Sequence, residues 1–237
     1  MRLLLVTLLL CTCFNVAAFQ VKPMVAELES LGSQSQRTMR ILNTSKEPLT
    51  VEISAKNLTL DAAGNEQLSE NEDDFLILPM TTVIPVGKSQ SVLIRYIGEP
   101  MLAESKSYRI IVDQVAVNLA DMNTSGVGMT LSFQTLFNVV PKGAQPNIEI
   151  MNKSMVSKGV WEIELENKGN RYVRLAQEKW IIQQDNDVYT LEGRELSDAL
   201  VGKLLMPNSK LKVTLKVPER FDISSSQLEI KLDAATN

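Results

Sequence analysis

From Met129 to Val139 the chain alternates: Met129, Leu131, Phe133, Phe137 and Val139 are apolar, while Thr130, Ser132, Gln134 and Asn138 between them are polar. A period of two over this length predicts a long β-strand with one apolar face. Strands of about five or six residues are usual, so this one carries more large apolar side chain than a single sheet face commonly needs. Either the face fills the core of its own domain or it fills the core of another protein, and the alternation by itself permits both.

The same period recurs in shorter runs. Residues 21–29, 37–45, 48–60, 74–87, 89–98 and 107–119 each alternate, with Gly, Pro, Asn and Ser between them. Short strands about ten residues apart with turn signals between them predict a β-sandwich. The acidic stretch from Asn65 to Asp74 reads as a solvated loop, and its acid spacing does not fit a calcium-binding loop. Pro141 to Pro146, with two prolines and Gly143, interrupts the pattern directly after the long strand and marks a domain boundary. Beyond it, residues 147–152, 159–170, 172–184, 187–193, 209–217 and 227–233 alternate again, with one helical turn expected near Glu195 to Val201. The expected organisation is all-β: a segment 1–18 that is removed, a first sandwich over 19–142 and a second, smaller one over 143–237.

The removed segment is inferred from Leu3 to Phe14, an apolar run behind the single basic residue Arg2, followed by Val16-Ala17-Ala18 as a small-residue cleavage site. This is the pattern of a secretory signal peptide, and the run is shorter than the ~20 residues that span a bilayer. Export with the mature chain starting at Phe19 is expected, without a membrane span. Both cysteines, Cys11 and Cys13, lie inside this segment. The mature protein must then be held by core burial rather than by disulfides, and roughly 219 residues are enough for two domains. The formal net charge is -4, and no basic patch with interleaved aromatics suggests a nucleic-acid partner. Glycosylation sequons occur at Asn43, Asn57, Asn123 and Asn152, and would matter in a eukaryotic host.

The chain has no histidine, and no cysteine outside the leader. Ser-His-Asp and Cys-His catalysis are thereby excluded, as is nearly every transition-metal site. Gly87-Lys88-Ser89 echoes a phosphate-binding loop, but the first glycine of that pattern would fall on Thr82, and the flanks predict strands. A carboxylate pair for glycoside hydrolysis stays open, although aromatic residues, at 5%, are too few to suggest sugar-stacking platforms. No catalytic residue, metal ligand or cofactor is expected.

Several segments, taken in order, resemble the periplasmic pilus chaperones of chaperone-usher systems, the PapD-like family. They are Asp74-Phe75 through Pro79 with Pro85-Val86-Gly87, Gln90, Arg95 and Gly98; then Ser107-Tyr108-Arg109 through Gln114; the alternating strand itself; and Asn167-Lys168-Gly169-Asn170 with Arg174-Leu175. The resemblance implies two immunoglobulin-like β-sandwiches in an L shape, no cofactor, and a periplasmic protein of fimbrium biogenesis. Its partners would be pilus subunits, stabilised by a donated strand and delivered to an outer-membrane usher. Backbone groups of Met129 to Phe133 would pair with a subunit's open edge, and Met129, Leu131, Phe133, Thr135 and Phe137 form the candidate donor set. An exposed apolar strand edge would also favour self-association when no subunit is bound.

Family members anchor a subunit's terminal carboxylate with two basic residues. Lys22 and Lys142 are the candidates here, although the second family position falls on Asn138 or a neighbour, and Lys22 reads equally well as a plain surface charge. Arg109 reads as a structural partner of an acid such as Asp113 or as an inter-domain charge, and Trp161, Trp180 and Tyr96 as core residues. A second functional class remains, a secreted structural or adhesive β-sandwich of a surface fibre, and a third, a carbohydrate-active enzyme, would need a close carboxylate pair.

Overall fold

The computed structural model describes residues 19–61, 63–115 and 130–232. The proposed leader, both cysteines, Met129 and the Asn123 sequon lie outside the described residues.

Ten strands precede residue 141: β1 (Phe19–Lys22), β2 (Val25–Glu29), β3 (Gln36–Asn43), β4 (Leu49–Leu60), β5 (Glu66–Asn71), β6 (Phe75–Leu78), β7 (Thr81–Ile84), β8 (Ser89–Tyr96), β9 (Lys106–Gln114) and β10 (Ser132–Val140). One sheet runs β1-β3-β8-β6, and the other runs β2-β10-β9-β4-β5 with β7 also on β4. Their facing sides enclose one core in which Met39, Ile41, Val51, Ile53, Val92, Ile94, Ile110, Val112, Phe137 and Val139 are fully buried. Tyr96 packs there at 3% exposure, with its ring edge-on to Phe75.

Prolines divide two runs that alternate continuously in sequence. Residues 21–29 split at Pro23, so β1 joins one sheet and β2 the other; residues 74–87 split at Pro79, so β6 and β7 also part. Proline lacks an N–H for the ladder and ends pairing where it stands. The acidic stretch is only partly a loop: Asn65 and residues 72–74 are irregular, but the middle is not. Residues 66–71 form β5, an edge strand on β4 with nearly every side chain exposed, where Glu70 pairs with Lys56. The open edge of β4 beyond Ala55 supplies the backbone partners, and acids on an outermost strand discourage further pairing.

The second unit contains β11 (Ile148–Ser157), β12 (Val160–Asn167), β13 (Val173–Arg174), β14 (Lys179–Gln184), β15 (Asp187–Leu191), helix α1 (Gly193–Ala199), β16 (Leu204–Leu205), β17 (Ser209–Lys216) and β18 (Gln227–Lys231). Sheets β11-β12-β17 and β15-β14-β18, with the short pair β13-β16, surround a second core. Trp161 and Trp180 are fully buried in it, and Trp180 donates to the Leu175 carbonyl at 3.2 Å. The protein is all-β, with two immunoglobulin-like sandwiches and, among the described residues, one short α-helix.

A third apolar cluster joins the two units. Leu58, Leu136 and Val140 of the first meet Tyr172 and Leu204 of the second, with Ala144 between. Polar contacts frame it: the Glu27 carboxylate accepts from Arg171 Nη2 at 2.9 Å and from the Tyr172 hydroxyl at 3.0 Å, while Ser105 Oγ accepts from the Tyr172 amide at 2.7 Å.

Candidate functional site

Strand β10 lies antiparallel to β9 along its whole length, but β2 covers only part of its other edge. The parallel β2 register begins at Leu136 opposite Val25 and ends at Val140 opposite Glu29. The Leu136 amide donates to the Met24 carbonyl at 2.9 Å, which fixes the edge that even-numbered residues face. With a period of two, the N–H and C=O groups of Ser132 and Gln134 point to that same edge, where no strand follows among the described residues. The chain that could have covered them turns away at Pro23 into the opposite sheet as β1.

Side chains divide at the same place. From Thr135 to Val140 every residue is buried, whereas Ser132 and Gln134 are exposed and Leu131 and Phe133 are half-buried at the rim of the core. Phe133 rests against Phe19, their ring centroids 4.8 Å apart in an edge-to-face contact. Such a pair is worth ~1 kcal/mol beyond its area.

The donor set divides accordingly. Leu131 and Phe133 lie on the open half. Phe137, at 0% exposure, is part of the protein's own core, and Thr135, also at 0%, donates its hydroxyl to the Ile110 carbonyl at 2.8 Å. Thr135 and Phe137 therefore serve the chain itself: the apolar face enters the sandwich as soon as β2 closes the edge.

Lys22 sits on β1, in the sheet opposite β10, where it pairs with Arg40, and Lys142 lies in the turn that follows Val140. β10 itself carries no basic residue. Asn138 is fully buried instead; its Oδ1 accepts from Ser107 Oγ at 2.6 Å, and its Nδ2 has no hydrogen-bond partner. Ser107 and Met206 belong to the wall of a cleft of about 530 Å³ between the two sandwiches, to which β10 contributes no lining residue.

Arg109 is structural, with a different partner from the one expected. Its Nε donates to Glu66 at 3.1 Å and its Nη2 to the same carboxylate, which ties β9 to the acidic edge strand β5 across β4. Burial, then the Glu27 carboxylate, holds the Tyr172 hydroxyl well above the ordinary tyrosine range. Among the described residues no cluster of three or more acids, histidines or cysteines has metal-binding geometry, and no helix is long and apolar enough to cross a membrane.

The backbone range expected to pair, Met129 to Phe133, includes Ser132 but stops short of Gln134, and nothing in the sequence pointed to Phe19, which meets Phe133. Pro23 was the available signal for the open edge, because a proline inside a predicted strand announces a change of partner.

No family model and no curated protein matches the chain. Solved structures do match. A match from a chaperone-tip adhesin complex of CFA/I fimbriae biogenesis is 17% identical with a TM-score of 0.57, over 92% of this chain and 100% of that one. This chain has the fold of the fimbrial chaperones. The class 5 fimbriae chaperone CfaA is 15% identical with a TM-score of 0.56, over 91% and 100% of the two chains. A match from the Salmonella enterica SafA pilin–SafB chaperone complex is 11% identical with a TM-score of 0.57, over 85% and 86%. The fimbrial-chaperone fold thus extends over both sandwiches.

Proposed function

We propose that this protein is a periplasmic assembly chaperone that binds incomplete pilus or surface-fibre subunits by lending them the open half of β10, and passes them to an outer-membrane usher. The observation that carries this reading is the coincidence, at residues 131–134, of a strand edge that no described strand pairs with and two partly exposed apolar side chains. A subunit lacking a strand exposes both unpaired backbone and an apolar groove. Ser132 and Gln134 would satisfy the backbone, while Leu131 and Phe133 would enter the groove, with Met129 as the next position of the same face. Completing the burial of Leu131 and Phe133 would contribute about 1 to 2 kcal/mol each before ordering costs. An unbranched methionine suits a face that must fit several subunits.

The fold shared with chaperones solved beside a tip adhesin and a pilin supports the reading. The leader pattern of residues 1–18 supports a periplasmic location, and the absence of histidine and of free thiol in the mature chain supports a binding rather than a catalytic role.

The test is a pull-down with the tagged mature chain from the periplasm of its native host, with Phe133→Glu as control and mass spectrometry of what is bound. Small β-rich secreted subunits recovered by the wild type alone are the expected result, because a charge at Phe133 would sit in the subunit's apolar groove. Recovery of no subunit, or of the same ones by both proteins, would favour a structural β-sandwich of a surface fibre.

A further inference from the structure

The open half of β10 does not stand alone. Its apolar face packs against the core of the sandwich, and at the rim the ring contact is made by Phe19 at the start of β1, which belongs to the opposite sheet. That ring is 3% exposed and meets Phe133 edge-on at 4.8 Å. Phe133 sits at the rim, partly exposed, outside the β2 register, which starts three residues later at Leu136. We infer that Phe19 is a positioning residue of the strand-binding edge, holding the Phe133 ring in the orientation in which an added strand would meet it.

The argument rests on the reading of β10 as a binding edge and deepens it. An unsupported aromatic side chain at a rim has several rotamers, and each one that covers the open edge must be vacated before a strand can add. An edge-to-face partner selects among them, because the positive edge of one ring favours the negative face of the other. The partner so favoured is an extended peptide with apolar side chains at alternate positions, since the edge offers backbone groups at Ser132 and Gln134 and apolar groups at Leu131 and Phe133. Phe19 is also the residue with which the mature chain is expected to begin, so the intact start of the processed chain is part of the edge.

The experiment uses the full mature chain and a fluorescein-labelled eleven-residue peptide of alternating threonine and valine, with binding followed by anisotropy at 10 °C. Phe19→Leu, which keeps the site filled, is compared with wild type, Phe133→Leu and the double variant, all checked as folded by circular dichroism. The expected result is that Phe19→Leu weakens peptide binding about five-fold in the wild-type background and changes nothing once Phe133 is leucine. A residue that served folding alone would lower the melting temperature and leave the affinity of the folded protein unchanged. Equal peptide affinity of wild type and Phe19→Leu, or the same loss in both backgrounds, would overturn the role of Phe19 while leaving the edge intact. Failure of the wild type to bind the peptide would overturn the binding edge itself, and the role of Phe19 with it.

Discussion

The two halves of β10 differ in one respect that decides everything else about them. Residues 136–139 lie between β9 and β2, and every side chain there is buried; among the described strands, residues 132–134 pair with β9 alone, and none of the three is fully buried. The composition of the halves does not account for this. Phe133 and Phe137 are the same residue on the same face, yet one lies at the rim and the other is fully enclosed. What separates them is whether a neighbouring strand seals the edge, so the working part of a strand can be set by its neighbour's path.

The sharpest way to break the comparison is to remove the two rings in turn. Phe137→Ala should cost about 3 to 5 kcal/mol in urea denaturation, as expected for a large cavity in a closed core. Phe133→Ala should cost less, about 1 to 2 kcal/mol, since the rim ring keeps part of its surface in water. Equal losses would mean that the rim residue is as much a core residue as Phe137.

The clamp behind the closed half offers a middle-sized test. Glu27, level with Asn138 on β2, is held by Arg171 and Tyr172 from the second sandwich, with Arg171 only 9% exposed at its side chain and Glu27 40%. Glu27→Gln should destabilise by about 1 to 2 kcal/mol, less than a fully buried pair would because Glu27 still reaches water. The second readout is hydrogen exchange at Leu136 and Asn138, which should quicken as β2 loosens, while Ser132 and Gln134 stay as they were.

In the unmodified protein the same exchange measurement sharpens the contrast directly. The amides of Ser132 and Gln134, which face the uncovered edge, should exchange at least ten times faster than that of Leu136, bonded to Met24. Comparable protection would show that the edge is covered in solution, for example by a second copy of the chain.

The smallest effect expected is one of pH. With no histidine in the chain, stability should be nearly level from about pH 6 to 9. Tyr172 is held above the ordinary tyrosine value by burial and by Glu27, so the folded state keeps its proton longer than the unfolded one. Its contribution is therefore complete below the unfolded value near pH 10 and is lost as pH rises towards the folded value. Tyr172→Phe should flatten that alkaline fall in a series of urea titrations.

Much of the architecture was legible because it depends on local alternation. The strand period, the turn residues and the Pro141 to Pro146 interruption are properties of adjacent residues, and Trp161, Trp180 and Tyr96 lie in cores as their size and apolarity suggested. The acidic stretch was misread for the opposite reason. Residues 66–71 carry no apolar period, and they form a strand only because β4 continues past β7 with its backbone unpaired. Nothing in those six side chains records that neighbour.

The candidate site divides in the same way. The sequence determined by itself that residues near 129–139 form an extended segment with one apolar face, since side-chain direction in a strand follows from backbone geometry alone. Only the tertiary structure decided which part of that face is free. Pro23 sends β1 to the far sheet and leaves Ser132 and Gln134 unpaired, β2 returns to close Leu136 onward, and Phe19 comes from over a hundred residues away to meet Phe133. Pairing and burial depend on which distant segments become neighbours, and a linear pattern carries the preference of each residue for a partner without the identity of the partner.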